Sequence, residues 1–589
     1  MKKISLLSLV MASAMLLSSC SSIIDSGYIG YKKNEIKYGK GVTKQFQQAV
    51  NNSNIEWLEE IITNYPDFNV NYYSNEESKY RGYNYETLKV ICSTYSRSIY
   101  KSEMLKLLIK NGLDPNLKFS NGYYGLDLLC SEYTSNPYLV KTMLENGADP
   151  NNGNTAGFYN VDLGESNKEK LLLPIYWGIY KPTHTNAEDM LNYGAEVSFK
   201  ILDKVHDNNI EGSAKSYQLA FKSYMERTGE SPFTKAEEYA ILGESDKLIE
   251  ELKNGSELDE KAEKVIRNFI CRFCNVEALK AWDKLHSDEI KNEYNEYLLS
   301  IAAYEGNYEV FKYLFENIDD DFIIKMTLTR AAKAGSYDIC KCILENGNLG
   351  EQISCADFLS AAFQGKNIDV FRLLAGFFKD NGQLNELDVY NIFDQLVVEW
   401  NQFTKDVIDC LMDDCNLNMQ VFVNDHVDYQ TLKYMFDKGK NLSVFDLRNA
   451  IRSKNAETVK LVLDKGADPN QTSFDFSTDI EDNMIYLLPY DECIAVATPK
   501  FPNCRNAAIM YGTPEIVQLL IDYGAELDPE LLYTAITESS KATFDVLFNA
   551  GASLDYKNDE DKETLIDAAK SMGRDDIVKI LKKAGVKAY

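Results

Sequence analysis

Cys271 and Cys274 stand in Cys-Arg-Phe-Cys order, half of the ligand set with which two such pairs hold zinc. No second pair follows at that spacing. The four histidines, His184, His206, His286 and His426, are too scattered in the chain to form a local metal cluster or a short proton relay. Ser98 and Lys101 have the Ser-x-x-Lys spacing of some acyl-transfer enzymes. They open an expected helix, however, and lack the companion motifs. Asp319 to Asp321 and Asp559 to Asp561 supply carboxylates without the alternating oxygen ligands and central glycine of a calcium loop. Phosphate-binding glycine loops, nucleophile elbows and His-Glu-x-x-His are absent from the sequence. The chemistry that does concentrate is contact chemistry. Tyr72, Tyr73, Tyr80, Arg81, Tyr83 and Tyr85 share one short segment, and Tyr123 and Tyr124 follow. Tyrosine and arginine combine large apolar area with a polar tip, the composition of protein-binding hot spots. These eight residues are the candidate partner-binding set; no catalytic residue, metal ligand or cofactor is expected.

Such residues need a frame, and 589 residues are too many for one compact core. A hydrophobic fraction of 45% and a charged fraction of 26% suit a soluble globular chain. Ninety acidic against 62 basic residues leave a formal charge of −28. That surface repels nucleic-acid phosphates and favours a protein partner with a basic surface.

The chain opens Met-Lys-Lys and then runs apolar from Ile4 to Leu17, too short to span a bilayer and suited to an export signal. It ends Leu17-Ser18-Ser19-Cys20, which resembles the lipobox of bacterial lipoproteins. The resemblance implies cleavage before Cys20 and acylation of its thiol, with residues 1–19 as signal peptide and Cys20 as membrane anchor. Ser21 stands where an aspartate would resemble an inner-membrane retention signal. The periplasmic face of the outer membrane, or the cell surface, is therefore expected rather than the inner membrane. Residues 20–42 read as a tether, with Lys32, Lys33, Lys37, Lys40 and Lys44 placed to meet anionic head-groups. Beyond Cys20 eleven cysteines remain, an odd number that argues against a complete disulfide framework.

From about Thr43 onward one apolar phrase recurs: Met104-Leu-Lys-Leu-Leu-Ile109, Val310-Phe-Lys-Tyr-Leu-Phe315, Ile339-Cys-Lys-Cys-Ile-Leu344, Thr458-Val-Lys-Leu-Val-Leu463, Ile516-Val-Gln-Leu-Leu-Ile521. Copies beginning at 278, 310, 339 and 370 put the interval near thirty residues, the length of a stacked supersecondary unit. Ahead of several copies come two alanines and a glycine, as in Ala302-Ala303-Tyr304-Glu305-Gly306. Behind others comes a closing phrase such as Asn146-Gly147-Ala148-Asp149-Pro150-Asn151 or Lys465-Gly466-Ala467-Asp468-Pro469-Asn470. The alanines predict close helix approach and Gly306 a positive φ between two helices. Cysteines such as Cys340 fall in apolar columns and are read as core.

Small-residue helix, glycine, apolar helix, then Gly-Ala-Asp-x-Asn resembles the ankyrin repeat over nearly all of 43–589. The resemblance implies an all-α repeat solenoid, with roughly fifteen helix-turn-helix units stacked in one long curved array. The family's Thr-Pro-Leu-His opening is missing, and copies between about 200 and 290 and between 389 and 443 are degenerate. Extra residues near 72–86, 152–172 and 471–503 are expected as loop inserts on one face. The function this implies is a non-catalytic, lipid-anchored envelope scaffold for protein–protein interaction. Two alternatives stand beside it: a purely architectural envelope protein, and an effector or enzyme module hidden in Ile201 to Pro232 or Gln471 to Asn503.

Overall fold

Many copies of the recurring phrase carry their own helix start signal, a capping side chain. Asn455 caps the helix Ala456–Asp464 by accepting the Thr458 amide at 3.1 Å. Asp428 does the same for Tyr429–Asp437, accepting both the amide and the hydroxyl of Thr431 at 2.9 and 3.1 Å. Several copies of the phrase open on threonine for this reason. Thr431 is fully buried, yet its hydroxyl is spent on the Asp428 cap.

The computed structural model describes residues 33–72, 87–93, 99–119, 123–130, 137–152, 174–180, 187–207, 214–255, 258–285, 293–316, 318, 320–347, 349, 355–385, 389, 392, 396, 400–417, 427–443, 446–470, 504–558 and 562–587. The fold is all-α. Among these residues the elements are helices, with one π-helical turn at Cys410–Asp414 and one isolated antiparallel bridge between Lys557 and Thr564. Residues 72–86, 152–172 and 471–503 lie, but for Tyr72 and Asn152, outside the described residues, as do Cys20 and the whole of 1–32.

Helices pack with their chain neighbour and with the helix two places along. Glu293–Glu305 touches Tyr308–Phe315 and Asp321–Lys333, and the latter touches Tyr337–Asn346 and Cys355–Gln364. Ala302, Ala303, Ala331, Ala332, Ala361 and Ala362 are all buried in this column. Side chains this small let the helices approach closely. The segment 199–285, degenerate in sequence, is nonetheless built of helices, from Phe199–Asp207 to Val276–Leu285.

Gly306 adopts φ +74° and turns the chain between two helices, as its place in the pattern predicts. The equivalent Gly365 works differently. Lys366 takes the left-handed conformation there, φ +51°, while a Cβ on Gly365 would overlap the Ala332 carbonyl oxygen. Its role is close approach rather than handedness.

The ten cysteines among the described residues are free thiols, nine of them buried. Cys340 is fully buried in the apolar column where its register puts it. Burial pushes the Cys271 and Cys274 thiols up to about 12. A thiol so reluctant to ionise is a poor nucleophile and metal ligand. Two ion pairs are also interior: Arg272 with Glu305 at 2.9 Å and Lys440 with Asp446 at 2.6 Å.

Sequence periodicity does not anticipate what the N-terminal helix pair does. Lys40–Asn51 and Ile55–Asn64 pack together, and the first also touches Leu531–Glu538 and Leu565–Ser571. Gln45 donates to the Met572 carbonyl at 2.7 Å, and Asn52 reaches the Glu538 carboxylate at 3.2 Å. Lys454 donates to the Ser53 carbonyl, and Glu60 accepts the Lys541 amide at 2.8 Å. The partners 454, 538, 541 and 572 all lie at or beside the turns between helices of C-terminal pairs. The N-terminal pair thus lies along a row of such turns. A Cβ on Gly41 would overlap the Gly573 amide, so the two backbones meet directly. At the centre Arg574, 3% exposed, donates to the carbonyls of Ala535, Ile536 and Ser539 at 3.2, 3.0 and 2.8 Å. Its guanidinium lies 5.7 Å from the Trp57 ring and 3.8 Å from Glu60. Within the expected tether, Asn34 is buried and bonded both ways to Asn69, and Val42 is in the core.

Candidate binding edge

The closing phrase ends in asparagine because that side chain joins one turn to the next. Asn71 donates through Nδ2 to the Gly112 carbonyl at 2.9 Å and accepts the Asp114 amide at 2.8 Å. Asn116 treats Gly147 and Asp149 in the same way, at 2.8 and 2.7 Å. Asn151 bonds Gly194 and Glu196 at 3.0 and 2.8 Å, and Asn470 bonds Gly524 and Glu526 at 3.0 and 2.7 Å. Each asparagine therefore uses a donor and an acceptor on one peptide segment, a match that a carboxylate cannot make. The aspartate two places earlier presents it: Asp114, Asp149 and Asp468 accept the amides of Asn116, Asn151 and Asn470. Gly-Ala-Asp-x-Asn looks in sequence like a turn alone, and its inter-turn contact was not legible there.

All three expected inserts begin just after a ladder asparagine: 72 after Asn71, 152 after Asn151 and 471 after Asn470. The base of the first is pinned, since the Thr87 amide donates to the Asn71 carbonyl at 2.9 Å. The ladder bond from Asn71 sets this base beside the turn that leads to Tyr123 and Tyr124. There the Phe119 amide donates to the Tyr123 carbonyl at 2.8 Å, closing a short loop.

Of the sequence-predicted contact residues, Tyr73, Tyr80, Arg81, Tyr83 and Tyr85 lie outside the described residues. Tyr72 is half-buried beside the ladder. Tyr123 is half-buried and packs on the core, so part of its ring is structural. Burial, and then the Asp127 carboxylate, raises its hydroxyl pKa above the usual tyrosine value. Tyr124 is half-buried, with the Lys118 ammonium 6.0 Å from its ring centre.

No family model matches this chain. No curated protein matches it either. Among the described residues no group of histidine, cysteine and carboxylate side chains could hold a metal ion, and no helix is long and apolar enough to cross a membrane.

One polar cluster escaped the sequence reading because its members are far apart in the chain. His206 joins Tyr217 and Glu237 in the interior: Nδ1 is 2.7 Å from the Tyr217 hydroxyl and Nε2 is 3.2 Å from Glu237 Oε1. Phe233 stacks on the imidazole at 4.3 Å. Glu237 also accepts the Thr234 amide and hydroxyl at 2.9 and 2.7 Å in a capping box. Burial opposes ionisation of Glu237, but the hydrogen bonds from His206 and Thr234 outweigh it and hold the carboxyl below its ordinary value. With both ring nitrogens engaged, the imidazole orients three elements.

The ladder makes a direct prediction. Asn116→Ala removes three inter-turn bonds, to Gly147, Asp149 and Asn152, and should cost about 1–2 kcal/mol, read as a lower urea midpoint and faster amide exchange at Gly147 to Asn151. Asn116→Asp keeps only the acceptor and should fall between the two. An Asn116→Ala midpoint equal to wild type would show the ladder to be incidental.

Proposed function

We propose that the chain is a lipid-anchored, ankyrin-type solenoid of the bacterial cell envelope that binds another protein and catalyses nothing. The observation that carries the reading is the asparagine ladder: equivalent turns are joined one to the next, and every large insert departs from that edge. A row of rigidly spaced turns with inserts at its rim suits recognition of a macromolecular surface. The charge of −28 favours a partner with a basic surface. Supporting evidence for the stacked-unit reading is the repeated packing of each helix on its neighbour and on the next but one. Anchoring rests on the resemblance of Leu17 to Cys20 to a lipobox, and Ser21, where an aspartate would resemble a retention signal, favours the outer membrane or cell surface over the inner membrane.

The test is affinity capture from envelope extract with the chain from Ser21 onward. It is run beside a variant carrying serine at Tyr72, Tyr73, Tyr80, Tyr83 and Tyr85. One protein retained stoichiometrically by wild type and lost by the variant is the expected result. A partner retained equally by both would remove the tyrosine segment from the binding site, and no retained partner would remove the binding reading.

A further inference from the structure

A cavity of about 530 Å³ opens on the far side of the His206 cluster, between the helices Phe199–Asp207, Lys235–Leu242 and Glu260–Phe273. Nothing in the proposed scaffold function uses it. Its aromatic wall is Phe233, one face of which covers His206, and Phe199, whose ring centre lies 6.2 Å from that of Phe233. Phe199 is 46% exposed, so its ring face is open to a ligand.

The charge in the pocket is one-sided. Asp203, Glu237 and Asp259 line it against the single ammonium of Lys261, which pairs with Asp203 Oδ1 at 2.7 Å. Glu237 is saturated by Thr234 and His206, and Asp259 Oδ1 caps the helix it precedes through the Ala262 amide at 2.7 Å. The second oxygens of Asp203 and Asp259 accept no hydrogen bond among the described residues. Two open carboxylate oxygens beside an exposed ring match a cation with a flat or alkyl-flanked charge. Such a group gains from the ring face and from the carboxylates together.

We infer that this pocket receives an arginine side chain presented by the protein partner. Arginine fits best because a planar guanidinium can lie on Phe199 while its N–H fork reaches Asp203. The choice of a protein as the source rests on the scaffold reading above, together with the chain's −28 charge.

The test is isothermal titration of the full soluble chain with a capped peptide, glycine-serine-glycine on either side of one arginine. The same peptide with citrulline replacing arginine tests charge, and with lysine replacing arginine it tests for an ammonium. Phe199→Ser and Asp203→Asn are the variants, with circular dichroism to confirm folding; the exposure of Phe199 makes its loss structurally mild. Saturable binding of the arginine peptide is expected, weakened at least about tenfold by citrulline and by either variant. No saturable binding, or equal binding of the citrulline peptide, would overturn the inference. Lysine-peptide binding as tight as that of the arginine peptide would also overturn it, reassigning the pocket to an ammonium group. Because the titration needs no natural partner, it fails independently of the capture experiment. A captured partner with no peptide binding sinks the pocket and spares the scaffold.

Discussion

Arg574→Met is expected to lower stability by about 3 kcal/mol, with the loss concentrated on the N-terminal helix pair. The guanidinium is almost wholly enclosed, so its bonds gain little screening from water. Removing it leaves the carbonyls of Ala535, Ile536 and Ser539 without their donor, and takes the cation from between Trp57 and Glu60. Hydrogen exchange should accelerate roughly a hundredfold over Lys40–Asn51 and Ile55–Asn64. The penalty should also depend on pH. Burial already raises the Glu60 pKa above its ordinary value, and Arg574 is the first group opposing that rise. A carboxyl whose folded pKa is raised binds its proton more tightly in the folded state. Its contribution to stability is therefore present at low pH and lost as pH rises through the folded value. Without Arg574 the rise grows, so the variant should be most impaired at neutral pH and partly recover on acidification. Exchange rates in the N-terminal pair that match wild type would show that the contact does not hold it.

Asp446→Ala should be as costly, about 3–5 kcal/mol, for a different reason. The Lys440 side chain is fully enclosed and the Asp446 side chain nearly so, and their contact is 2.6 Å. Lys440 keeps only the Asn441 carbonyl at 2.9 Å and the Phe436 ring at 4.9 Å once the carboxylate is gone. Asp446 also accepts the Ser443 amide at 2.7 Å, so its loss frees the turn as well. The double variant Lys440→Met with Asp446→Leu removes both charges and should regain most of the stability, since burying an ion pair costs about what it returns. Urea denaturation of the single and double variants decides the matter. A double variant as unstable as Asp446→Ala would mean that the Ser443 turn, not the stranded charge, sets the cost.

Both sites show why some of this architecture was readable in the sequence and some was not. The helices of the regular units were legible because the same apolar phrase returns near a thirty-residue interval, and because Gly306 and Cys340 sit in columns shared by other copies. Such signals are local and repeated. The ladder was half legible: Asn116 and Asn151 stood out by position, but their bonds go to another turn, and only packing reveals them. Arg574, Lys440 and His206 gave no signal at all. Their partners lie at unrelated distances in the chain, from the six-residue step between Lys440 and Asp446 to the contacts of Arg574 with Trp57 and Glu60 across hundreds of residues. The role given to Gly365 shows a subtler limit. A glycine at the right place in the pattern was required there, but by the nearby Ala332 carbonyl rather than by its own φ. Of the candidate contact residues, Tyr123 proved to be shared between surface and core, a division that composition cannot express.

The contact of the N-terminal pair with the C-terminal turns also sets an order of events during synthesis. Gln45 and Met572 are separated by 527 residues. Regular units can close on neighbours made moments earlier, whereas the pair Lys40–Asn51 and Ile55–Asn64 waits for residues more than five hundred places later in the chain. At ordinary elongation rates that wait is on the order of a minute. Throughout it, Trp57 lacks Arg574 and the polar edge of Gln45 and Asn52 lacks its acceptors. That pair is thus completed long after it emerges, and a chain truncated before Met572 would leave that surface permanently uncovered.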